Sequence, residues 1–223
     1  MAVVLISTPL LADSLTALEG HRLVAGEPGS DAEAEALICP PTMSVTGAQL
    51  SQMPSLRVIA VAGTGTDAID LETAAARGIA VLTAGEALVE TTADLAFGLI
   101  IAASRLMGEA EAMVRAGRWS GLGFLDTFGR DVHGATLGLV GYGRIGRAVG
   151  RRAGGFAMEV LHHTRNPTGE PGWREDLDSL LEASDIVSVH VPLTDSTRGL
   201  IDGRRIGLIG SDGVLVNTAR GAV

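Results

Sequence analysis

Short apolar runs of about strand length alternate along the whole chain with segments of helical periodicity. The apolar runs predict strands at residues 2–7, 36–39, 56–62, 79–83, 137–140, 158–163, 186–191 and 213–217. Helical patterns lie between them at residues 12–18, 71–77, 144–153, 175–183 and 204–209. Strands that alternate with helices in this way form a parallel sheet covered by helices, so the pattern predicts an α/β protein.

The longest helical pattern covers residues 92–116. Its first half is apolar nearly all round, and its second half is charged. Thr91 and Asp94 have the spacing of a capping box, and Gly117 is a natural stop. We therefore expect one long helix, buried at one end and exposed at the other, that connects two domains. The glycine-rich segment 119–131 then predicts an irregular loop between domains or subunits.

Composition excludes several classes of protein. The 223 residues carry a net charge of −9, which argues against a nucleic-acid partner. The one cysteine, Cys39, allows neither a disulfide framework nor a thiolate metal site within one chain, so a reducing cytoplasm is expected. All 17 basic residues are arginine, which excludes a Schiff-base lysine and a P-loop lysine.

Neither apolar stretch of notable length predicts a membrane segment. Residues 1–11 lack the basic start of a signal peptide, and Pro9 interrupts them early, so a strand is the better interpretation. The apolar run at residues 95–103 is too short to span a bilayer. We expect no membrane partner.

Glycines with the spacing G-x-G-x-x-G follow one predicted strand and open the next helix. Gly141 permits a tight turn, Gly143 lets the backbone approach a pyrophosphate, and Gly146 lets the helix pack closely on the strand. The N-terminus of that helix would direct unpaired N–H groups at the phosphates. This setting predicts a dinucleotide-binding site.

The residues after the next strand bear on which dinucleotide binds. NAD-binding versions of the motif place a carboxylate about 20 residues on, where it holds the ribose 2′-hydroxyl. This chain has Thr164, Arg165 and Asn166 there, and an arginine can pair with a 2′-phosphate that a carboxylate would repel. NADP is therefore favoured over NAD. The alternative is that Arg165 is a solvated loop residue and that either cofactor binds.

Several segments, in order, resemble one family. They are residues 61–70 (VAGTGTDAID), 91–96 (TTADLA), 137–147 (LGLVGYGRIGR), 184–194 (SDIVSVHVPLT) and 215–221 (LVNTARG). Together they resemble the D-isomer-specific 2-hydroxyacid dehydrogenases, which include glyoxylate/hydroxypyruvate reductases, D-3-phosphoglycerate dehydrogenases and formate dehydrogenases. The resemblance implies two Rossmann-like parallel-sheet domains. Residues 1–100 would form a flavodoxin-like substrate domain, and residues 101–223 an NAD(P)-binding domain without its last strands. It also suggests a homodimer.

The resemblance implies hydride transfer between a nicotinamide and a small 2-oxo acid. Glyoxylate or hydroxypyruvate is the favoured substrate, and D-3-phosphoglycerate is the runner-up. Arg220 would be catalytic, binding the substrate carboxylate and polarising the keto oxygen. The other substrate contacts would be Ala62, Gly63, Thr64 and Gly65, and the backbone amides of Thr64 and Gly65 would hold the carboxylate. A surface arginine and a plain strand-to-helix turn are the corresponding structural alternatives.

The expected cofactor contacts come from every loop that matches the family's nucleotide site. They are Thr64, Gly141, Tyr142, Gly143, Arg144, Ile145, Gly146, Thr164, Arg165, Asn166, His190, Val191, Pro192, Thr197, Thr218 and Ala219.

No histidine of this chain is expected to act as the general acid. The family's general acid is a histidine assisted by a glutamate, both beyond the arginine segment, and none of the five histidines here matches it. His190 is expected to pack rather than react, and His162 and His163 point to opposite faces of a strand, so no metal site is predicted. A non-catalytic dinucleotide-binding fragment or pseudoenzyme is therefore the rival function. We expect these 223 residues alone to reduce glyoxylate at least about 100-fold more slowly than a full-length relative.

Overall fold

The computed structural model describes residues 1–7, 16–119 and 128–223. They form two compact units, Met1–Leu88 and Val89–Val223. Each unit has a parallel sheet and a hydrophobic core of its own. The division precedes a helix, Val89–Ser104, so the boundary expected at residue 100 falls inside that helix.

The first unit is a five-stranded parallel sheet in the order β2-β1-β3-β4-β5. Its strands are β1 (Val3–Ile6), β2 (Arg22–Ala25), β3 (Ala36–Cys39), β4 (Val58–Val61) and β5 (Ala80–Thr83). Its helices are α1 (Gly47–Ser51) and α2 (Leu71–Ala76), with a short 3-10 turn at Thr16–Leu18. Leu5, Leu37 and Ile59 from the sheet are fully buried in one core with Leu50 from α1.

The ends of α2 follow from local sequence. The Asp70 side chain accepts a hydrogen bond from the Thr73 amide at 2.9 Å, and this contact lowers the pKa of the Asp70 carboxyl. Gly78 follows the helix at φ +68°, the left-handed conformation that glycine adopts without strain. The helix lies where the sequence pattern predicts one, at residues 71–77, and ends one residue earlier.

The second unit is a four-stranded parallel sheet in the order β7-β6-β8-β9. Its strands are β6 (Thr136–Val140), β7 (Glu159–His163), β8 (Ile186–Val189) and β9 (Val214–Asn217). Its helices are α3 (Val89–Ser104), α4 (Met107–Arg115), α5 (Arg144–Ala153), α6 (Leu177–Glu182) and α7 (Gly203–Leu208), with a 3-10 turn at Gly154–Phe156. One core joins α3 and α5 to β6, and another joins α6 to β8.

The expected single long helix is wrong, because α3 and α4 are separate. Leu106 between them has φ +50°, and the Ser104 carbonyl accepts a hydrogen bond from the Arg130 amide at 2.7 Å. A segment distant in sequence therefore takes the place of the next helical turn. The capping box at Thr91 is also wrong, since α3 begins at Val89 and Asp94 instead accepts from Arg152 of α5.

Two elements of the first unit were not predicted. Strand β2 is mostly exposed at the edge of the sheet, so it lacks a buried apolar run. Helix α1 is a single short turn held by a capping box between Thr46 and Gln49.

Two predicted segments lie partly outside the described residues. These are the helix predicted at 12–18, of which residues 12–15 are outside, and the loop predicted at 119–131, of which residues 120–127 are outside. Among the residues that are described, no helix has the length and apolar character needed to cross a membrane.

Candidate functional site

The glycine turn between β6 and α5 fits closely between neighbouring strand ends. Gly141 has φ +97°, and its amide donates to the His163 carbonyl at 2.9 Å. A β-carbon on Gly141 would lie 2.8 Å from the His190 backbone, and one on Gly146 would overlap the Gly141 carbonyl. Close approach of the backbone therefore requires glycine at both positions.

Gly143 has the opposite surroundings. It is the N-cap of α5, and apart from its chain neighbours no atom of the described residues lies within 4 Å of where its β-carbon would be. Within the described part of the chain, the amides of Tyr142, Gly143 and Ile145 donate to no acceptor. Unpaired amides beside open space at a helix N-terminus suit an anion, so the turn fits the pyrophosphate of a dinucleotide.

Most of the predicted cofactor residues meet at one edge of this sheet, because the carboxyl ends of parallel strands lie together. Thr164, Arg165 and Asn166 follow β7. His190, Val191 and Pro192 follow β8, and Thr218, Ala219 and Arg220 follow β9. Tyr142, Arg144 and Ile145 belong to the glycine turn and the start of α5 beside them. Ligands of open α/β sheets bind at such an edge.

His190 bridges two of these segments. Its Nε2 lies 2.9 Å from the Ser188 hydroxyl, and its Nδ1 lies 3.4 Å from the Thr218 hydroxyl. Burial lowers the pKa of the His190 imidazole to about 4. The ring is therefore neutral at pH 7, and it links β8 to the segment after β9 by hydrogen bonds.

Arg220 lies in a turn shaped by Asn217. The Asn217 Oδ1 accepts from the Ala219 amide at 2.9 Å, and its Nδ2 donates to the Arg220 carbonyl at 3.0 Å. The Val223 amide also donates to the Arg220 carbonyl, and the Val223 side chain is buried in the second core cluster of this unit. Sequence reasoning missed the role of Asn217, although an asparagine at a strand end commonly shapes a turn in this way.

The loop after β7 presents a guanidinium to solvent. The Thr164 hydroxyl donates to the Asn166 carbonyl at 2.6 Å and shapes the start of the loop. Arg165 is exposed, and no described residue forms an ion pair or hydrogen bond with its side chain. Its charge is therefore available to a ligand.

Thr197 has internal partners. Its hydroxyl donates to the Pro192 carbonyl at 2.6 Å, and it accepts from the Thr194 amide at 2.8 Å. These bonds close the loop after β8, which is the role the geometry gives this residue.

In the first unit, the loop after β4 holds the predicted substrate residues. The Ala62 amide donates to the Cys39 carbonyl at 2.8 Å, and the Gly63 carbonyl accepts from Ala84 at 2.9 Å. A β-carbon on Gly63 would lie 2.6 Å from Pro41. The amides of Thr64 and Gly65 have no acceptor among the described residues, so this loop presents adjacent N–H groups to an anion.

The adjacent histidines of β7 have different surroundings. His162 is fully buried, and burial lowers the pKa of its imidazole. His163 is only partly buried, with Nδ1 3.0 Å from the Arg174 carbonyl. Across the described residues, no cluster of three His, Cys, Asp or Glu side chains could hold a metal ion.

Known proteins of one family match this chain in sequence and in structure. A family model described as D-isomer specific 2-hydroxyacid dehydrogenase, NAD binding domain, matches residues 97–223. The glyoxylate reductase of Thermococcus litoralis is 41% identical over 202 residues, a match that covers 86% of this chain and 60% of the relative. The chain thus spans about 60% of the length of the curated relatives it matches.

Solved structures agree along nearly the whole chain. A protein from Thermus thermophilus superposes with a TM-score of 0.86 at 36% identity, covering 100% of this chain and 75% of that one. An NADPH-dependent glyoxylate/hydroxypyruvate reductase from Sinorhizobium meliloti, in complex with NADP and malonate, gives a TM-score of 0.84 at 30% identity. That match covers 99% of this chain and 72% of the other.

Proposed function

Because the chain belongs to the D-isomer-specific 2-hydroxyacid dehydrogenase family, we propose that it serves the NAD(P)H-dependent reduction of a small 2-oxo acid to a D-2-hydroxy acid. The observation that carries the proposal is one sheet edge where the Arg220 turn lies with the amides of Tyr142, Gly143 and Ile145, which have no acceptor among the described residues. A bound nicotinamide supplies the hydride. The protein supplies binding, orientation and charge.

Arg220 acts on the substrate in this proposal. A guanidinium can donate paired hydrogen bonds to a carboxylate or a keto oxygen. Positive charge at the keto oxygen stabilises the alkoxide that forms as hydride arrives. The Asn217 side chain keeps the turn in shape through its bonds to Ala219 and Arg220. The amides of Thr64 and Gly65 stay the second predicted contact for the carboxylate.

Glyoxylate or hydroxypyruvate is the proposed substrate, and NADPH is preferred over NADH. The substrate follows the similarity to the Thermococcus litoralis glyoxylate reductase and the Sinorhizobium meliloti enzyme. The cofactor preference rests on Arg165, whose exposed guanidinium can pair with a 2′-phosphate.

We also propose a cytoplasmic homodimer. The exposed Leu95 and Leu99 of α3 support self-association, and the single buried Cys39 suits a reducing compartment.

Ligand titration tests the proposal without depending on turnover. NADPH should bind the purified chain more tightly than NADH, and oxalate, a dianion that cannot be reduced, should bind the NADPH-loaded chain. Arg220→Gln should weaken oxalate binding by about 10-fold to 100-fold, the range for losing a hydrogen bond to a charged group, and leave NADPH affinity nearly unchanged. Arg198→Gln is the matched control, since it removes the same charge from an exposed position. Equal oxalate affinity in both variants would contradict the role of Arg220, and tighter NADH binding would contradict the cofactor preference.

A further inference from the structure

Arg165 belongs to a loop of residues 164–170, here called the 164–170 loop, whose side chains contact both the sheet and helix α5. Thr168 in this loop places its hydroxyl 2.8 Å from Nε2 of the buried His162, and the same hydroxyl accepts from the Glu170 amide at 3.2 Å. The Glu170 carboxylate forms an ion pair with Arg147 in the first turns of α5. The end of the loop is therefore attached to both β7 and α5.

Aromatic contacts complete the connection. The Arg147 guanidinium lies over the Tyr142 ring, 4.7 Å from its centre. The Tyr142 ring stacks on His162, with centres 3.9 Å apart and planes 17° apart. A continuous set of contacts thus runs from Glu170 through Arg147 and Tyr142 to His162, and back to the loop at Thr168.

The chain just after the loop is also fixed. The His162 amide donates to the Gly172 carbonyl at 2.9 Å, and the Arg174 amide donates to the His162 carbonyl at 2.8 Å. These bonds place residues 172–174 along the outer edge of β7. The 164–170 loop is therefore fixed at both ends, by β7 before it and by residues 172–174 after it. The ion pair between Glu170 and Arg147 also attaches the loop to α5.

A fixed loop matters for selectivity between cofactors. A guanidinium discriminates a phosphate from a hydroxyl best when it is already in place, because ordering a mobile loop on binding costs free energy. Arg147 and Glu170 are 41% and 39% exposed as side chains, so solvent screens their attraction and the pair adds little to global stability. Its effect is expected in the position of the loop.

We propose that Arg147 and Glu170 are positioning residues for cofactor selectivity: by closing the 164–170 loop against the Tyr142–His162 stack, they hold Arg165 where it can pair with the 2′-phosphate of NADPH. The identity of the ligand rests on the proposed function. The fastening of the loop rests on the contacts above.

Positioning and simple charge give opposite expectations for Glu170. If only charge matters, Glu170→Gln removes a negative group near the phosphate and tightens NADPH binding, whereas Arg147→Gln weakens it, so the two effects cancel in the double variant. If positioning matters, each single substitution frees the loop and weakens NADPH binding. The double variant is then no worse than either single one, because the pair acts as a unit.

The experiment measures the ratio of the NADH and NADPH dissociation constants, by quenching of Trp173 fluorescence in a Trp119→Phe background. Trp173 is then the sole tryptophan, since the chain has two. We expect Arg147→Gln, Glu170→Gln and the double variant each to lower the ratio by about threefold to fivefold, a coupling typical of residues in contact. Arg147→Lys, which keeps the charge, should give a smaller decrease.

Glu111→Gln is the control, because it breaks an ion pair of similar type with Arg115 on α4. It should leave the ratio unchanged. Tighter NADPH binding by Glu170→Gln, cancelling single effects, or an unchanged ratio in all variants would overturn the positioning role. A wild-type preference for NADH would contradict the proposed cofactor, and that result is separate from the response of the ratio to substitution.

Discussion

Glycines in the turn after β6 are required for two different reasons. Gly141 and Gly146 are surrounded by backbone that a β-carbon would overlap or crowd, so they serve the packing of strand, turn and helix. Gly143 has open space around its missing β-carbon and φ −78°, which alanine can adopt. Packing therefore does not require glycine at 143, whereas a ligand close to the backbone does.

This difference gives a prediction at the residue scale. Gly146→Ala should lower the free energy of unfolding by about 1–3 kcal/mol, the usual cost of overfilling a packed site. Gly143→Ala should unfold at nearly the wild-type temperature but bind NADPH at least about tenfold more weakly, because its methyl group occupies the place of the pyrophosphate. Thermal unfolding and NADPH titration of both variants check this. Wild-type binding by Gly143→Ala would show that the phosphates lie elsewhere.

Sequence predicted the local requirements of the site but not its long-range partners. The glycine spacing and the exposed Arg165 follow from neighbours in the chain. The contact of Glu170 with Arg147 and the bond of His190 to Thr218 join residues that are distant in sequence. Nothing in local pattern distinguishes such side chains from solvated ones. Thr197 shows the same limit, because its hydroxyl is used by its own loop.

At the scale of elements, buried strands were predicted to within one or two residues because each is a continuous apolar run between turns. Strand β2 (Arg22–Ala25) was not predicted, because an exposed edge strand need not be apolar. The break between α3 and α4 was not predicted, because the helical periodicity continues through Leu106. The chain turns there where the segment at Arg130 bonds to the end of α3, which local sequence does not reveal.

A second left-handed residue gives a prediction about element ends. Ala157 follows the 3-10 turn at Gly154–Phe156 with φ +52° and is exposed. The left-handed conformation costs an L-residue about 1 kcal/mol, and glycine adopts it without this cost. Ala157→Gly should therefore stabilise the protein by up to about 1 kcal/mol. Ala112→Gly, at an exposed position inside α4, should instead destabilise it by about 1 kcal/mol. Chemical denaturation measures both, and the same sign for the two substitutions would contradict the backbone argument.

At the scale of the whole molecule, each unit has its own core, and the two histidines whose pKa is lowered, His162 and His190, belong to the second unit. The pKa of His190 falls from an ordinary 6.5 to about 4, and burial lowers the pKa of His162 in the same direction. Between these values the unfolded chain binds a proton that the folded chain does not. Stability contributed by neutral His190 is therefore present above about pH 6.5 and is lost as the pH falls toward 4.

The expected result is a decrease in unfolding free energy from pH 7 to pH 5 that is smaller in His190→Asn than in wild type. His162 keeps its own contribution in the variant, so part of the pH dependence should remain. Urea unfolding at several pH values measures the slopes, and an NMR titration of the imidazole C–H signals gives the pKa directly. Equal slopes in the two proteins, or a His190 pKa near 6.5, would contradict the effect of burial.

The strand orders β2-β1-β3-β4-β5 and β7-β6-β8-β9 have a consequence for synthesis on the ribosome. Among the described strands of each sheet, the first in the chain takes an inner position, and every later one joins an outer edge of those before it. None of these strands has to be inserted between two that are already paired. They can therefore be added to each sheet one after another as the chain emerges from the ribosome, and the five described strands of the first unit can pair before β6 is translated.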